Sequence, residues 1–368
     1  MRKESVAVVG AGTAGLIAAR SMAAAGIKTV VYDQKPVPGE RIHASGILSL
    51  TGLETLGMDY TKAMTNTLKG ANIHAGGKTM RIRSAEPVAV VLDRKRLNGL
   101  CIENAEKAGA EVEVGRRISG RDIDAFARDN IIIGADGAVS TVAKHFGMGS
   151  IGSYSITYKQ EYNVPITEPD VVDLFFDNKS WPGLFAWLCP NAKDLLEVGV
   201  GTTDHSVNSR HVLERFLDRR DVSDIIGVGK PVVGGASIIP MSRRRSIVDP
   251  VKEVLLVGDA AGQIKATTGG GIIFGSNAAL MAAYAAREHI RNGADLSVYE
   301  RMFMSKYGTE MRLHSMINRF YSSLGPGAIG RIISISKAVG MEGFLGKYGD
   351  MDRPSLVLKR FFLRGFAD

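Results

Sequence analysis

Hydrophobic positions fall into three textures along the chain. Val6 to Val9 form an apolar run that ends at Gly10-Ala11-Gly12-Thr13-Ala14-Gly15, and the Ala-rich stretch 16–25 follows. A second run, Thr29-Val30-Val31-Tyr32, closes on Asp33. This order predicts a buried strand, a glycine turn, a helix and a second buried strand. Residues 71–91 instead alternate in short runs such as Met80-Arg81-Ile82-Arg83, as antiparallel strands with one wet face do. Asp93 then caps a predicted helix with Leu97, Leu100, Cys101 and Ala105 at helical spacing, ending near Gly109. Segments 111–114 and 130–133 read as strands returning to the first sheet. From residue 151 to about 239 the texture is short β-type runs, including 173–176 and 195–201, with a helical insertion at 209–217. A last apolar run, Val254 to Val257, enters Gly258-Asp259-Ala260-Ala261-Gly262 and Thr268-Gly269-Gly270-Gly271-Ile272; 277–290 is helical, and so is most of the chain from 291.

The first turn can hold phosphate. Gly10 permits the tight turn, Gly12 lets backbone approach a pyrophosphate, and Gly15 lets the helix pack on the sheet. The free N–H groups of the helix start face the anion. Asp33 is placed to accept from an adenosine ribose, which favours an unphosphorylated one. Strand, helix and acid in register predict a dinucleotide site. Turns of nucleotide type recur at 134 (Gly134-Ala135-Asp136-Gly137-Ala138-Val139-Ser140) and at 258. Segments of another character separate them, so the dinucleotide domain is discontinuous. The expected fold class is α/β, α+β overall: a Rossmann-like domain of residues 1–70, 92–150 and 246–290, an inserted, mainly antiparallel substrate domain of 71–91 and 151–245, and a helical region of 291–368.

Composition narrows the classes. With 368 residues, 45% hydrophobic and 23% charged, the chain reads as an ordinary globular protein of two domains or more. The basic and apolar N-terminus superficially resembles a signal peptide, but Glu4, the glycine turn and Arg20 favour strand then helix. No window reaches about 18 uninterrupted apolar residues, so no transmembrane helix is predicted and a cytoplasmic location is expected. Cys101 and Cys189 fit no CxxC or cluster spacing, and no metal is expected. The net charge of +8 suits anionic partners or simple solubility; nucleic acid is not expected, because no basic cluster is interleaved with aromatics.

Taken in order, GAGTAG with Asp33, GADGAVS, and GDAAG with TGGG resemble the flavoproteins of p-hydroxybenzoate hydroxylase fold. Within that group the chain most resembles the geranylgeranyl reductase family. Trp181-Pro182-Gly183-Leu184-Phe185-Ala186-Trp187-Leu188-Cys189-Pro190 is similar to its substrate-domain signature, and Lys347-Tyr348-Gly349-Asp350-Met351-Asp352-Arg353-Pro354-Ser355 to its tail. The resemblance implies FAD as cofactor and reduction of carbon–carbon double bonds in an isoprenoid lipid during archaeal-type membrane lipid synthesis. It assigns FAD to Gly10, Gly12, Ala14, Gly15, Asp33, Gln34, Ser45, Gly46, Arg94, Asp136, Gly258, Asp259, Gly269, Gly270, Gly271 and Ile272. The loop 269–271 would face the flavin edge where negative charge gathers on reduction. Phe185, Trp187 and Cys189 are the expected substrate-binding residues.

Three departures from the family stand out. Ser45-Gly46 replaces the Cys-Gly often found near the flavin, leaving Ser45 and His43 as candidate catalytic residues; Cys189 replaces a Phe, and Ala266 a Pro. Oxygen-using monooxygenases or halogenases of the same fold, and a non-catalytic lipid-binding flavoprotein, are the alternatives. With no second strand-GxGxxG-helix-acid unit, electrons are expected from NAD(P)H or reduced ferredoxin, the latter making an electron-donor protein a partner. Arg243-Arg244-Arg245 reads as a grip for a lipid phosphate or as a solvated loop. The tail 356–364 mixes apolar and basic residues suited to peripheral contact with a bilayer, or to docking on its own domain.

Overall fold

The computed structural model describes residues 3–40 and 45–364. Its first sheet has six strands in the order Val248–Asp249, Val254–Leu256, Asn130–Gly134, Ser5–Val9, Lys28–Tyr32 and Glu111–Glu113. All pairs are parallel except the short first one. The central strands are continuous apolar runs because helices cover both faces. Val6, Val8, Ile131, Ile132, Ile133 and Leu255 are fully buried. Chain segments far apart in sequence therefore share one sheet, and the three nucleotide-type turns open at the same strand ends.

Helix Thr13–Ala24 packs on this sheet at strands Ser5–Val9 and Lys28–Tyr32, and helix Ile272–Asn292 packs closely along that helix. Their contact is made by small side chains: a Cβ on Gly275 would lie 2.8 Å from Gly258 Cα and 3.8 Å from Ala14 Cβ. Asp93 caps helix Arg94–Lys107 as expected, accepting from the N–H groups of Lys95 at 2.9 Å and Arg96 at 3.1 Å.

A second sheet has seven strands in the order Pro231–Pro240, Tyr154–Asn163, Leu195–Thr202, Ala186–Ala192, Val171–Phe175, Gly70–Ala75 and Lys78–Arg83. Only the pair Val171–Phe175 with Gly70–Ala75 is parallel. Helix Ser209–Leu217 packs Val212, Leu213 and Phe216 against Val198, Val200 and Trp181 on one face. The other face carries Phe185, Trp187 and Cys189, which pack with Leu68, Val91, Ile47 and Met351. A small sheet of Ile47–Ser49, Ala89–Leu92 and Met64–Leu68 connects the two larger ones. Strand 89–92 belongs to this small sheet, whereas 70–83 forms a hairpin at the edge of the seven-stranded one.

Four helices, Val298–Ser322, Pro326–Ala338, Met341–Tyr348 and Pro354–Arg364, form the C-terminal region. Among the described residues, no helix is long and apolar enough to cross a membrane.

Candidate functional site

The GAGTAG turn is built by three different demands. Gly10 has φ +108°, and a Cβ there would fall on the carbonyl oxygen of Ala135; its N–H donates to Tyr32 O at 2.7 Å. A Cβ on Gly15 would fall on the carbonyl oxygen of Gly10, so this glycine lets helix and strand touch. Gly12 differs. A Cβ there meets no described atom within 4 Å, so the space over it is open. Asp33, half-buried, accepts from the Ala11 N–H at 2.7 Å and the Lys35 N–H at 2.8 Å, which ties the end of the second strand to the turn. Gln34 beside it is exposed.

Sequence reasoning missed Asn98. It is 1% exposed, donates to Ala11 O at 3.0 Å and accepts from Thr13 Oγ1 at 3.3 Å, bracing the turn from the next helix. Only its place one turn past the Asp93 cap could have drawn attention to it. The loop at 258 is braced likewise by residues the sequence does not advertise. Gln263 accepts from Gly258 N at 2.8 Å and donates to Tyr299 Oη at 2.7 Å, and that hydroxyl donates to Leu256 O at 2.7 Å.

Asp259 and Arg94 face one another electrostatically. Burial raises Asp259 above the usual carboxylate range, and the Arg94 guanidinium pulls it back; burial lowers Arg94, and Asp259 offsets this. Arg94 Nε and Ser45 Oγ are buried polar atoms without a hydrogen-bond partner. Such groups are rare unless a ligand completes them. The last glycine loop is also unequal. Gly269 has φ +71°; a Cβ on Gly271 would lie 2.9 Å from Asp259 Oδ1, and one on Gly270 2.9 Å from Lys265 Cε. Protein atoms, as well as any ligand, therefore exclude side chains here. Ile272 opens helix Ile272–Asn292, whose N-terminus presents positive potential.

Other expected residues hold different places. Asp136 is engaged by its own turn, accepting from Ser140 Oγ at 2.6 Å, Thr141 N at 2.7 Å and Val142 N at 3.0 Å, so its carboxylate holds the backbone at 136–142. Gly46 is small because a Cβ would fall on Leu92 O. Ala14 packs against Gly258, 3.1 Å from where a Cβ would lie. His43 lies outside the described residues. The arginine triplet divides. Neither a phosphate grip nor a solvated loop describes Arg244, which is 4% exposed and donates from Nε to Ala260 O at 2.7 Å and from its terminal nitrogen to Gly149 O. Arg243 pairs with Glu300 at 3.1 Å.

On the seven-stranded sheet, Phe185 and Trp187 meet edge to face at 6.1 Å, and Trp187 lies over Gly199, where any Cβ would strike its ring. Cys189 is wholly buried, and burial pushes its thiol well above the ordinary range. The same face holds charges unforeseen from the sequence. Glu197, wholly buried, accepts from Trp187 Nε1 at 2.8 Å and Lys159 Nζ at 2.5 Å; Lys159 also meets Glu161 at 3.1 Å. Burial works against the Lys159 charge, yet the two carboxylates hold it above its usual value. A separate cavity of about 360 Å³ opens near His74, Phe175, Arg219 and Pro326, and shares no residue with the candidate site.

The sequence profile of the FAD binding domain family matches residues 3–292. An uncharacterised protein of Methanocaldococcus jannaschii is 24% identical over 96% of this chain and 94% of its own. A digeranylgeranylglycerophospholipid reductase of the same organism is 26% identical over 84% of each chain. Among solved structures, a geranylgeranyl bacteriochlorophyll reductase-like protein of Thermoplasma acidophilum superposes with TM-score 0.80 at 20% identity, covering 96% of this chain and 98% of its own. A p-nitrophenol 4-monooxygenase of Pseudomonas putida superposes with TM-score 0.71 at 17% identity, covering 97% and 98%. The fold is thus the flavoprotein fold expected from the sequence.

Proposed function

Because the chain belongs to the FAD binding domain family, we propose that it is an FAD-dependent reductase saturating carbon–carbon double bonds of geranylgeranyl-type chains on a glycerophospholipid. Gly12 and Asp33 would hold the ADP half, and Ser45, Arg94, Asp259 and the loop 269–271 would hold the flavin end. The residues fit the group. Gly12 leaves open space, and the unpartnered Ser45 Oγ and Arg94 Nε offer polar atoms to complete. Bound FAD supplies a hydride equivalent.

One observation carries the choice of substrate: Phe185, Trp187 and Cys189 pack into a hydrophobic cluster with Ile47, two residues from Ser45. A buried apolar cluster of this kind excludes water and would flank an isoprenoid chain bound beside it. Aromatic faces favour the positive charge that develops on carbon during alkene reduction. On this proposal the chain has three parts: residues 1–70, 92–150 and 246–290 for FAD, 71–91 and 151–245 for lipid, and 291–368 as a helical region. Electrons come from NAD(P)H or reduced ferredoxin.

The last helix supports peripheral contact with the cytoplasmic face of a membrane. Ser355 binds Glu310 through both its N–H and hydroxyl, docking one face on helix Val298–Ser322. Leu358, Phe362 and Leu363 remain exposed beside Lys359 and Arg360.

The test is spectroscopic. Protein carrying reduced FAD, mixed anaerobically with digeranylgeranylglycerophospholipid, is expected to be reoxidised by the lipid. Reoxidation only by oxygen contradicts the proposal and favours the monooxygenase chemistry that the same fold supports.

A further inference from the structure

The C-terminal chain returns to the glycine loop through Asp352. This residue precedes helix Pro354–Arg364, yet is 5% exposed. Its Oδ1 meets Lys265 Nζ at 2.5 Å, and its Oδ2 accepts from Ser49 Oγ, the cap of helix Leu50–Glu54. His314 closes the pocket: Nδ1 lies 2.7 Å from Thr267 Oγ1 and Nε2 3.4 Å from Asp352 O. Lys265 is itself part of the loop's frame. Its N–H donates to Gly270 O at 3.0 Å, and its carbonyl accepts from Gly269 N at 2.8 Å and Thr268 N at 3.1 Å. The ammonium lies against Gly270, 3.4 Å from where a Cβ would sit. A buried cation thus stands beside the three glycines, at the N-terminus of helix Ile272–Asn292.

We propose that Lys265 sets the reduction potential of the bound flavin, with Asp352 holding the ammonium against the 269–271 loop and moderating its charge. Reducing a flavin adds negative charge, and a fixed cation favours the form that carries it. Lys265 and the helix N-terminus act with the same sign. Asp352 acts oppositely. Asp259, on the other side at Gly271, is countered by Arg94, so Lys265 is the charge whose removal changes the balance. The inference rests on the placement of the flavin end at this loop, and not on the identity of the lipid.

The experiment is an anaerobic dye-equilibration titration of the FAD-loaded protein at about pH 6, well below the ordinary lysine range. Lys265→Met is expected to shift the ratio of reduced to oxidised FAD affinity about tenfold toward the oxidised form, ~30 mV for a two-electron couple. Lys265→Arg retains the parent potential, and Asp352→Asn shifts it the other way. If Lys265→Met binds no flavin, Lys265→Gln gives the same reading. A merely structural clasp predicts that the Lys265 and Asp352 variants lower thermal stability together and leave the potential of bound flavin alone; that result overturns the proposal. Gly269→Ala separates the premises. An altered flavin absorption spectrum in this variant with an unchanged potential in Lys265→Met rejects the role of Lys265 alone, whereas no change in either rejects the placement of the loop as well.

Discussion

Asn98 and Ala11 stand 87 residues apart in sequence and are joined by a buried hydrogen bond of 3.0 Å from side-chain amide to backbone carbonyl. The bond fixes the glycine turn proposed to hold the ADP half of FAD. Asn98→Ala leaves the Ala11 carbonyl without its described side-chain donor and removes the acceptor of Thr13 Oγ1. The expected cost is about 1–3 kcal/mol of apo-protein stability, seen as a lower denaturant midpoint that excess FAD partly restores.

Two glycines three residues apart should respond oppositely. Gly12 has extended backbone, φ −73° and ψ 170°, and open space around it. Gly12→Ala should therefore leave apo stability within about 0.5 kcal/mol while weakening FAD binding by roughly tenfold or more, about 1.4 kcal/mol. Gly15→Ala should lose about 1–3 kcal/mol before any ligand is added, because the new methyl group collides with Gly10 O. Paired thermal melts and FAD titrations check both; equal stability losses would place Gly12 inside packed protein.

The Lys159–Glu197 pair predicts an alkaline limb. Its folded pKa lies above the ordinary 10.5, so the stability it adds is complete below 10.5 and lost as pH rises through the higher folded value. Removing one partner from this buried pair costs about 3–5 kcal/mol. Urea unfolding of the parent should weaken on that limb, and the double variant Lys159→Met, Glu197→Leu should lack the lysine contribution.

Both cysteines should be silent to thiol reagents in the folded state. Burial pushes the Cys101 thiol up to about 12 and raises the Cys189 thiol well above its ordinary range. Colorimetric thiol counting is expected to give no reaction until denaturant is added; fast native-state labelling of Cys189 would contradict its wholly buried position in the aromatic cluster.

The sequence made some parts legible and hid others for physical reasons. The strand-turn-helix at Gly10 to Gly15 is dictated by local sterics, and continuous apolar strands advertise a sheet covered on both faces. The GDAAG turn is local too. Glu197, by contrast, is the single charge of a mostly apolar strand, and Lys159 sits in a strand of mixed polarity; the antiparallel register that sets Glu161 opposite Glu197 brings them together across 38 residues. Arg243 and Arg244 are chemically identical neighbours, and only the fold decides that one reaches the surface and the other clamps Ala260 and Gly149. Lys265 and Asp352 meet across 87 residues for the same reason.

Reduction of an isoprenoid lipid is read out in the mass of the product. Purified protein with chemically reduced FAD is incubated anaerobically with digeranylgeranylglycerophospholipid, and the extracted lipid is weighed by mass spectrometry. The lipid is expected to gain two hydrogen masses for each saturated bond, and less when Phe185 or Trp187 is replaced. Unchanged lipid mass, with FAD demonstrably bound and reduced, would contradict it.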